Sequence, residues 1–278
     1  MSETTYPAPA KLNLFLHVIG RRADGYHLLQ TVFRFIDFGD SLSFRPRADG
    51  IITRVNDIAG VPAADDLCVR AAHALKRAGG VAAGADITLH KRLPLGGGLG
   101  GGSSDAATTL MVLNRLWRLD WGRERLGELA LCLGADVPAF VFGESAFAEG
   151  IGEQLTPLPL PAAWYVVLTP QIAVSTAAIF ADPELTRTTI PIKICAFSMD
   201  QGHNDLEPVA SRRYPEIARH LSWLRQFGPA AMTGSGACVF AAFASEREAR
   251  RVLAQLPAEM RGFAARGLDR HPLRDLMM

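Results

Sequence analysis

Hydrophobic and polar residues alternate along the first patterned stretch of the chain. The period of two predicts a strand over 10–19, with Leu12, Leu14, Leu16 and Val18 on one face and Lys11, Asn13, Phe15, His17 and Ile19 on the other. A half-buried strand would ordinarily leave Lys11 and Asn13 in water. The apolar Phe15 and Ile19 favour a second covered face, and the two prolines of Tyr6–Ala10 would hold Lys11 in place.

Similar patterns predict an α+β fold in which strands and helices follow one another in mixed order. Apolar residues at three- and four-residue spacing predict a helix over 66–79 that ends at a pair of glycines. The other predicted strands are 31–38 and 40–45, which are joined through Gly39, and 51–55, 85–92, 164–169, 229–232, 238–243 and 262–268. The other predicted helices are 106–117, 126–133, one starting at 136–138, one reaching Phe180, 216–226 and one capped by Ser245. This order lacks the strict alternation of a doubly wound sheet.

The proline-rich segment Pro157–Pro161 is a stiff connector, and we expect a domain boundary there. The boundary divides the chain into an N-terminal domain, residues 1–158, and a C-terminal domain, residues 159–278. Elements after the boundary follow the order strand, helix, strand, turn, strand, helix, strand. That order suits a ferredoxin-like α+β layer.

The composition is that of a globular protein without a strong charge field. The 278 residues are 49% hydrophobic and 21% charged, and the formal net charge of +1 supplies no field to hold nucleic acid or an anionic membrane. No apolar run approaches the roughly 20 residues of a membrane span, and no signal-peptide core follows the polar start Met1–Thr5. Four scattered cysteines are typical of buried free thiols in a cytoplasmic protein: Cys68, Cys132, Cys195 and Cys238.

The most informative stretch is a glycine-rich loop between a predicted strand and a predicted helix. It comprises Pro94, Leu95, Gly96, Gly97, Gly98, Leu99, Gly100, Gly101, Gly102, Ser103 and Ser104. Glycine loses the most backbone entropy on folding, so this run indicates that the backbone approaches a bulky polar group closely. Because a helix start presents unpaired N–H groups and a partial positive charge, the loop is a candidate phosphate-binding site.

Several familiar phosphate loops do not fit this one. Gly96-x-Gly98-x-x-Gly101 satisfies the dinucleotide fingerprint only because the loop is nearly all glycine, and no acidic residue ends a second strand about 20 positions later. A Walker loop needs a lysine where Gly102 stands, and the protein-kinase catalytic motifs are missing. What remains is a loop that closes with two serines, whose hydroxyls are candidates to face a phosphate-bound Mg²⁺.

Three motifs together resemble those of the GHMP small-molecule kinases, in the family's order: Pro9–Leu14, Pro94–Ser104 and Thr233–Cys238. The resemblance implies two domains. The N-terminal domain would be folded like domain 2 of ribosomal protein S5 and would bind ATP with Mg²⁺, and the C-terminal domain would be ferredoxin-like. On its chemistry, the turn 233–236 is equally well a plain hairpin turn. The resemblance places it near the active site, bracing the first loop.

Two further segments, Arg22–His27 and Leu133–Pro138, resemble one branch of that family, whose acceptor is a cytidine-diphosphate-linked methylerythritol. Spacing by itself would explain Asp136 as a helix N-cap. The resemblance instead matches Asp136 to the family's catalytic base, which would deprotonate a substrate hydroxyl while Lys11 stabilises the developing charge.

Aromatic residues provide the candidate contacts to the acceptor. From the residues alone, Tyr26, His27 and Phe33 are either a platform for a flat ring or ordinary core and surface residues. The resemblance implies that Tyr26 and Phe180 stack on cytosine. The full expected substrate-binding set is Asn13, Tyr26, His27, Phe33, Thr176 and Phe180.

Two other functions stay open at this point. One is a GHMP kinase for homoserine or mevalonate, but a small acyclic alcohol would give the aromatic residues nothing to stack on. The other is a non-catalytic nucleotide- or RNA-binding protein. The presence of Lys11 and Asp136 and the near-zero net charge argue against it. We therefore expect a cytoplasmic kinase with a small-molecule substrate, without nucleic-acid or membrane partners, and present as a monomer or weak homodimer.

Overall fold

The computed structural model describes residues 4–193 and 202–277. The strands are β1 (Thr5–Arg21), β2 (His27–Arg47), β3 (Ile52–Arg54), β4 (Gly84–His90), β5 (Ala146–Glu149), β6 (Gln154–Pro157), β7 (Trp164–Leu168), β8 (Ala230–Met232), β9 (Val239–Phe243) and β10 (Gly262–Leu268). The helices are α1 (Leu67–Gly79), α2 (Gly101–Leu116), α3 (Arg123–Leu131), α4 (Val137–Phe142), α5 (Thr176–Phe180), α6 (Glu207–Arg213), α7 (Pro215–Leu224) and α8 (Glu246–Leu253), followed by a 3₁₀ turn (Arg274–Met277). Cys195, one of the four expected thiols, lies outside the described residues.

The long strand β2 is central to the sheet. It pairs antiparallel with β1, β4, β5 and β10, and the sheet continues from β10 through β7 and β9 to β8. The prediction of two strands separated at Gly39 is wrong, because β2 continues through that residue. Gly39 instead permits close approach of the neighbouring strand, since a Cβ there would lie 2.2 Å from the carbonyl oxygen of Ala8.

Strand β1 contains the predicted strand 10–19 but not its simple alternation. Its register against β2 shifts between Asn13 and Leu16, and a bulge of this kind exchanges the faces of a strand. As a result, Leu14 and Leu16 pack in different apolar clusters. Lys11 and Asn13 are each only 3% exposed, so the face that carries them is covered by protein.

Three apolar clusters hold these elements together. The first lies between β2, β4 and the helices α1–α4, around Leu75 and Leu110. The second lies between β7, β9 and the helices α6–α8, around Leu221. The third combines residues of both halves, among them Leu12 on β1 and Tyr165 on β7. Because burial of apolar surface is the main stabilising term in folding, this shared cluster fixes one half of the chain against the other.

The division into residues 1–158 and 159–278 stays a prediction. After β10 the chain returns to the first cluster, which Leu273 joins. The ring of His271 meets the ring of Phe35 edge-on, with the centroids 5.8 Å apart. Burial lowers the pKa of His271 to about 3, so the ring is neutral in this apolar contact.

Helix ends follow local signals where the chain supplies them. Helix α1 ends at the predicted glycine pair, with the left-handed Gly80 at its C-cap, and begins one residue after the predicted start, because Asp66 is its N-cap and its side chain accepts from the Cys68 N–H. Helix α2 begins at Gly101 and therefore before the predicted start at Ala106. The low helix propensity of glycine concealed this first turn, which contains both serines of the loop.

Two strands and one exposed cysteine depart from the predictions. Strands β5 and β6 form an antiparallel hairpin that is not among the predicted strands. Cys68 and Cys238 are buried free thiols as expected, but Cys132 is exposed because it caps the solvent-facing C-terminus of α3. Among the helices of the described ranges, none has the length and apolar character needed to cross a membrane.

Candidate active site

A cavity of about 730 Å³ lies where β1, the glycine loop, α4 and α5 meet. A volume of this size suits a small-molecule ligand. The cavity brings together these predicted site residues: Lys11, Asn13, Tyr26, His27, Phe33, Gly96, Gly98, Gly100, Ser103, Asp136, Thr176 and Phe180. The remaining residues of the predicted loop do not line it: Pro94, Leu95, Gly97, Leu99, Gly101, Gly102 and Ser104.

Lys11 and Asp136 form an ion pair in this cavity. Lys11 Nζ lies 3.3 Å from Asp136 Oδ2, and the side chains are 3% and 37% exposed, respectively. Lys11 Nζ also donates to Asn13 Oδ1, and the Asn13 amide donates to Thr31 Oγ1 over 2.9 Å. These bonds fix the ammonium in place, while the aspartate remains the more accessible partner.

Asp136 occupies the N-cap position of α4 but does not cap it with its side chain. Its backbone is right-handed helical, with φ −84° and ψ −18°, and its carboxylate accepts no hydrogen bond from the first turn. Pro138 within that turn has no N–H to donate. The structural role that spacing suggested for the Asp136 carboxylate is therefore absent, and its ion pair is with Lys11.

The three sequence motifs are bonded to one another around the glycine loop. The Lys11 N–H donates to the carbonyl oxygen of Leu99 over 3.0 Å. Thr233 Oγ1 accepts from the Asn13 N–H at 2.9 Å and donates to the carbonyl oxygen of Gly98 at 3.3 Å. The turn 233–236 therefore braces the loop directly, which is more than a plain hairpin turn would do.

Part of the cavity wall, which we call the aromatic end, is formed by Tyr26, His27 and Phe180. The ring centroids of His27 and Phe180 are 4.9 Å apart with an interplanar angle of 32°, and Tyr26 is 59% exposed. Burial lowers the pKa of His27, and the cations of Arg187 and Arg21 lower it further. An accessible tyrosine beside two neighbouring rings is suited to a flat ligand ring.

Phe33 and Thr176 occupy other parts of the wall. Phe33 is 2% exposed, packs with Ala139 and Ala148, and has Lys11 Nζ 5.4 Å from its ring centroid. That position supports the ammonium and does not add a fourth ring to the aromatic end. Thr176 Oγ1 lies 2.7 Å from the hydroxyl of Ser235 in the second glycine turn.

Comparison with known proteins identifies the family. The family models for the GHMP kinases N terminal domain and GHMP kinases C terminal match residues 66–144 and 192–262. The 4-diphosphocytidyl-2-C-methyl-D-erythritol kinase of Nitrosospira multiformis is 65% identical over 277 residues, which is 99% of this chain and 94% of that protein. The protein of the same name from Thiobacillus denitrificans is 64% identical over 98% of each chain. This chain belongs to the GHMP kinase family.

Solved structures agree with the fold of this GHMP kinase. A crystal structure of 4-(cytidine 5'-diphospho)-2C-methyl-D-erythritol kinase matches with a TM-score of 0.83 at 35% identity and covers 95% of this chain and 99% of the other. The mevalonate kinase of Methanococcus jannaschii matches with a TM-score of 0.69 at 16% identity, covering 96% of this chain and 99% of that one. At 16% identity, the similarity to this mevalonate kinase supports a shared fold and carries no argument about function. The predicted two-domain GHMP kinase fold is confirmed.

The two serines of the loop in this GHMP kinase have different surroundings. Ser103 lines the cavity, whereas Ser104 is fully buried and its hydroxyl has no hydrogen-bond partner. Mg²⁺ keeps several waters and is held by phosphate oxygens and one or two protein groups. Across residues 4–193 and 202–277, no group of three or more His, Cys, Asp or Glu side chains could hold a metal ion. Of the two serines, Ser103 is therefore the one placed to face a ligand in the cavity.

Sequence reasoning missed a buried ion cluster that joins the two ends of the glycine loop. Lys91 Nζ, before the loop, lies 2.8 Å from Asp105 Oδ2 behind it and also pairs with Asp40. Asp40 Oδ1 accepts from the N–H groups of Arg92 and Leu93. Burial raises the pKa of Asp105 to about 7; Lys91 opposes the rise and the charge of Asp40 adds to it. The basic residues Lys91 and Arg92, directly before the loop, were a visible signal, but nothing in their spacing pointed to these acidic partners.

Proposed function

We propose that this GHMP kinase transfers the γ-phosphoryl group of ATP to the 2-hydroxyl of 4-diphosphocytidyl-2-C-methyl-D-erythritol, a step of the non-mevalonate route to isoprenoids. The observation that carries the proposal is the Lys11–Asp136 pair, 3.3 Å apart, in a cavity lined by both the glycine loop and the aromatic end. The names of the relatives supply the acceptor. The cavity contains the groups that such a transfer needs.

For phosphoryl transfer, the protein has mainly to position the reactants and to stabilise charge. Backbone N–H groups of the glycine loop and the start of α2 hold the phosphates. Asp136 accepts the proton of the 2-hydroxyl as that oxygen attacks the γ-phosphorus, the bond to the bridging oxygen breaks, and ADP leaves. Lys11 stabilises the developing negative charge. Mg²⁺, when bound, neutralises phosphate charge, and Ser103 is the residue placed to hold it.

Turnover with three acceptors tests the proposed substrate. The purified protein is mixed with ATP and Mg²⁺ and with 4-diphosphocytidyl-2-C-methyl-D-erythritol, homoserine or mevalonate, and ADP release is followed. We expect release with the cytidine compound only. ADP release with homoserine or mevalonate but not with the cytidine compound would overturn the proposed acceptor. No ADP release with any of the three would overturn the proposed kinase activity.

The role of Asp136 is tested by Asp136→Asn, which keeps the shape of the side chain but removes the base. We expect kcat to fall by about 10²- to 10⁴-fold, the usual contribution of a general base, in a protein that still folds. The matched control is Asp120→Asn, an exposed carboxylate that pairs with Arg115 and does not line the cavity. Its kcat should stay near that of the parent chain. An Asp136→Asn protein with most of its turnover would exclude Asp136 as the base.

The remaining expectations also belong to this proposal. We place the protein in the cytoplasm, as a monomer or weak homodimer without nucleic-acid or membrane partners. Support comes from the net charge of +1 and from the free thiols Cys68, Cys132 and Cys238. Sedimentation equilibrium over a range of protein concentrations measures the oligomeric state; a tight oligomer at low concentration would contradict this expectation.

A further inference from the structure

Arg187 lies beyond the end of α5 and makes four hydrogen bonds with its guanidinium group. Arg187 Nε donates to His27 Nε2 over 3.1 Å. Its two terminal nitrogens donate to three backbone carbonyl oxygens, those of Phe180 at 3.0 Å, Asp182 at 2.7 Å and Leu185 at 3.0 Å. A planar guanidinium with donors in a fixed fork can satisfy these directions together, and an ammonium cannot.

These bonds connect two segments that are remote in the sequence. His27 begins β2, whereas Phe180 ends α5. Arg187 donates both to the side chain of His27 and to the backbone at Phe180. The rings of these same two residues contact each other, with their centroids 4.9 Å apart. The separation of the two rings at the aromatic end is therefore set through one guanidinium group.

The bond to His27 also determines which ring nitrogen carries hydrogen. Arginine has donors and no acceptor, so His27 Nε2 must offer its lone pair to Arg187 Nε. The hydrogen of the neutral imidazole then resides on Nδ1. Burial together with the cations of Arg187 and Arg21 lowers the pKa of His27, which agrees with a neutral ring. Arg187 thus fixes both the orientation and the tautomer of His27.

We propose that Arg187 is a positioning residue for the acceptor, which holds His27 and Phe180 in the arrangement that receives the pyrimidine ring. The proposal rests on the proposed function for the identity of that ring. Arg187 does not line the cavity, so it acts through the two residues that do. An effect of this kind is the same in the ground state and the transition state, and it therefore changes KM for the acceptor and leaves kcat unchanged.

Steady-state kinetics of Arg187→Met and Arg187→Lys test the proposal. We expect Arg187→Met to raise KM for the cytidine acceptor about tenfold. This fold-change corresponds to the binding free energy of about one charged hydrogen bond. KM for ATP and kcat should stay within about twofold, because the glycine loop and Asp136 are untouched. Arg187→Lys should recover only part of the loss, because a point charge cannot form the fork.

A neighbouring arginine gives the matched control. Arg212 bonds to Asp182 and Glu184, in the segment that follows α5, but has no bond to His27 or Phe180. We expect Arg212→Met to leave KM for the acceptor within about twofold of the parent chain. If Arg212→Met raises that KM as much as Arg187→Met does, general loosening of the segment explains the result and the proposal is overturned.

A spectroscopic measurement separates this inference from the proposed function. Nitrogen NMR of protein labelled at histidine, at a pH above the titration of His27, reports which ring nitrogen is protonated. We expect an unprotonated Nε2 and a protonated Nδ1 in the parent chain, and a redistribution toward Nε2–H in Arg187→Met. A protonated Nε2 in the parent chain would overturn the proposal even if the enzyme turns over the cytidine compound. The expected tautomer without such turnover would instead count against the proposed function.

Discussion

Gly98→Ala tests how the glycine loop is held against the second glycine turn. Gly98 has a φ of +76°, and an added Cβ would lie 2.2 Å from the carbonyl oxygen of Thr233. Gly102, near the start of α2, offers a comparison, because an added Cβ there would meet only Leu67 Cδ1, at 3.5 Å. Both substitutions add one methyl group to the same loop, but only the first is strained.

Two costs add at Gly98. An L residue in the left-handed conformation costs about 1–2 kcal/mol. The overlap with Thr233 can be relieved only by moving backbone, since the carbonyl oxygen involved also accepts from the Gly236 N–H at 3.1 Å, and overpacking of this kind costs about 1–3 kcal/mol. We expect a loss of about 3 kcal/mol in the free energy of unfolding, which lowers the melting temperature of a chain of this size by roughly 6–12 °C.

Urea denaturation and thermal melting without ligand measure this difference. Gly102→Ala should stay within about 1 kcal/mol of the parent chain, since alanine suits a helix better than glycine. In turnover assays Gly98→Ala should also raise KM for ATP, because a displaced loop no longer presents its N–H groups to phosphate. Equal stabilities of the two variants would refute the argument that Thr233 fixes the position of Gly98.

The remaining predictions concern side chains beside the loop. Asp105→Asn should gain stability relative to the parent chain as pH rises from about 4.5 to 7.5, by up to about 1.4 kcal/mol per pH unit. The reason is that burial raises the pKa of Asp105 from 3.8 to about 7, so the folded parent keeps a proton that the unfolded chain has released. Urea denaturation across this range measures the effect, and a difference independent of pH would contradict it. Ser103→Ala should raise the Mg²⁺ concentration needed for half-maximal turnover, whereas Ser104→Ala should not, because its hydroxyl is buried away from the cavity; the opposite result would assign the role to Ser104.

Much of the element order was predictable because its signals are local. Helix α1 carries its own caps, Asp66 and Gly80, and β10 has the predicted bounds 262–268. The continuity of β2 and the β5–β6 hairpin were not predictable in this way. Glycine locally signals a break, but Gly39 is required by the close passage of β1, and that passage is a property of the assembled sheet.

The sequence by itself predicted a candidate phosphate-binding loop before a helix, and its resemblance to the GHMP kinases made Lys11 and Asp136 the candidate partners of that loop. Only the tertiary structure decided that these two side chains lie 3.3 Å apart, that Ser103 and not Ser104 lines the cavity, and that Phe33 lies against the Lys11 ammonium. The physical reason is that distances between remote residues depend on the packing of the whole core. Within β1, the register shift between Asn13 and Leu16 also brings Leu16, and not Phe15, to the cavity beside Lys11 and Asn13.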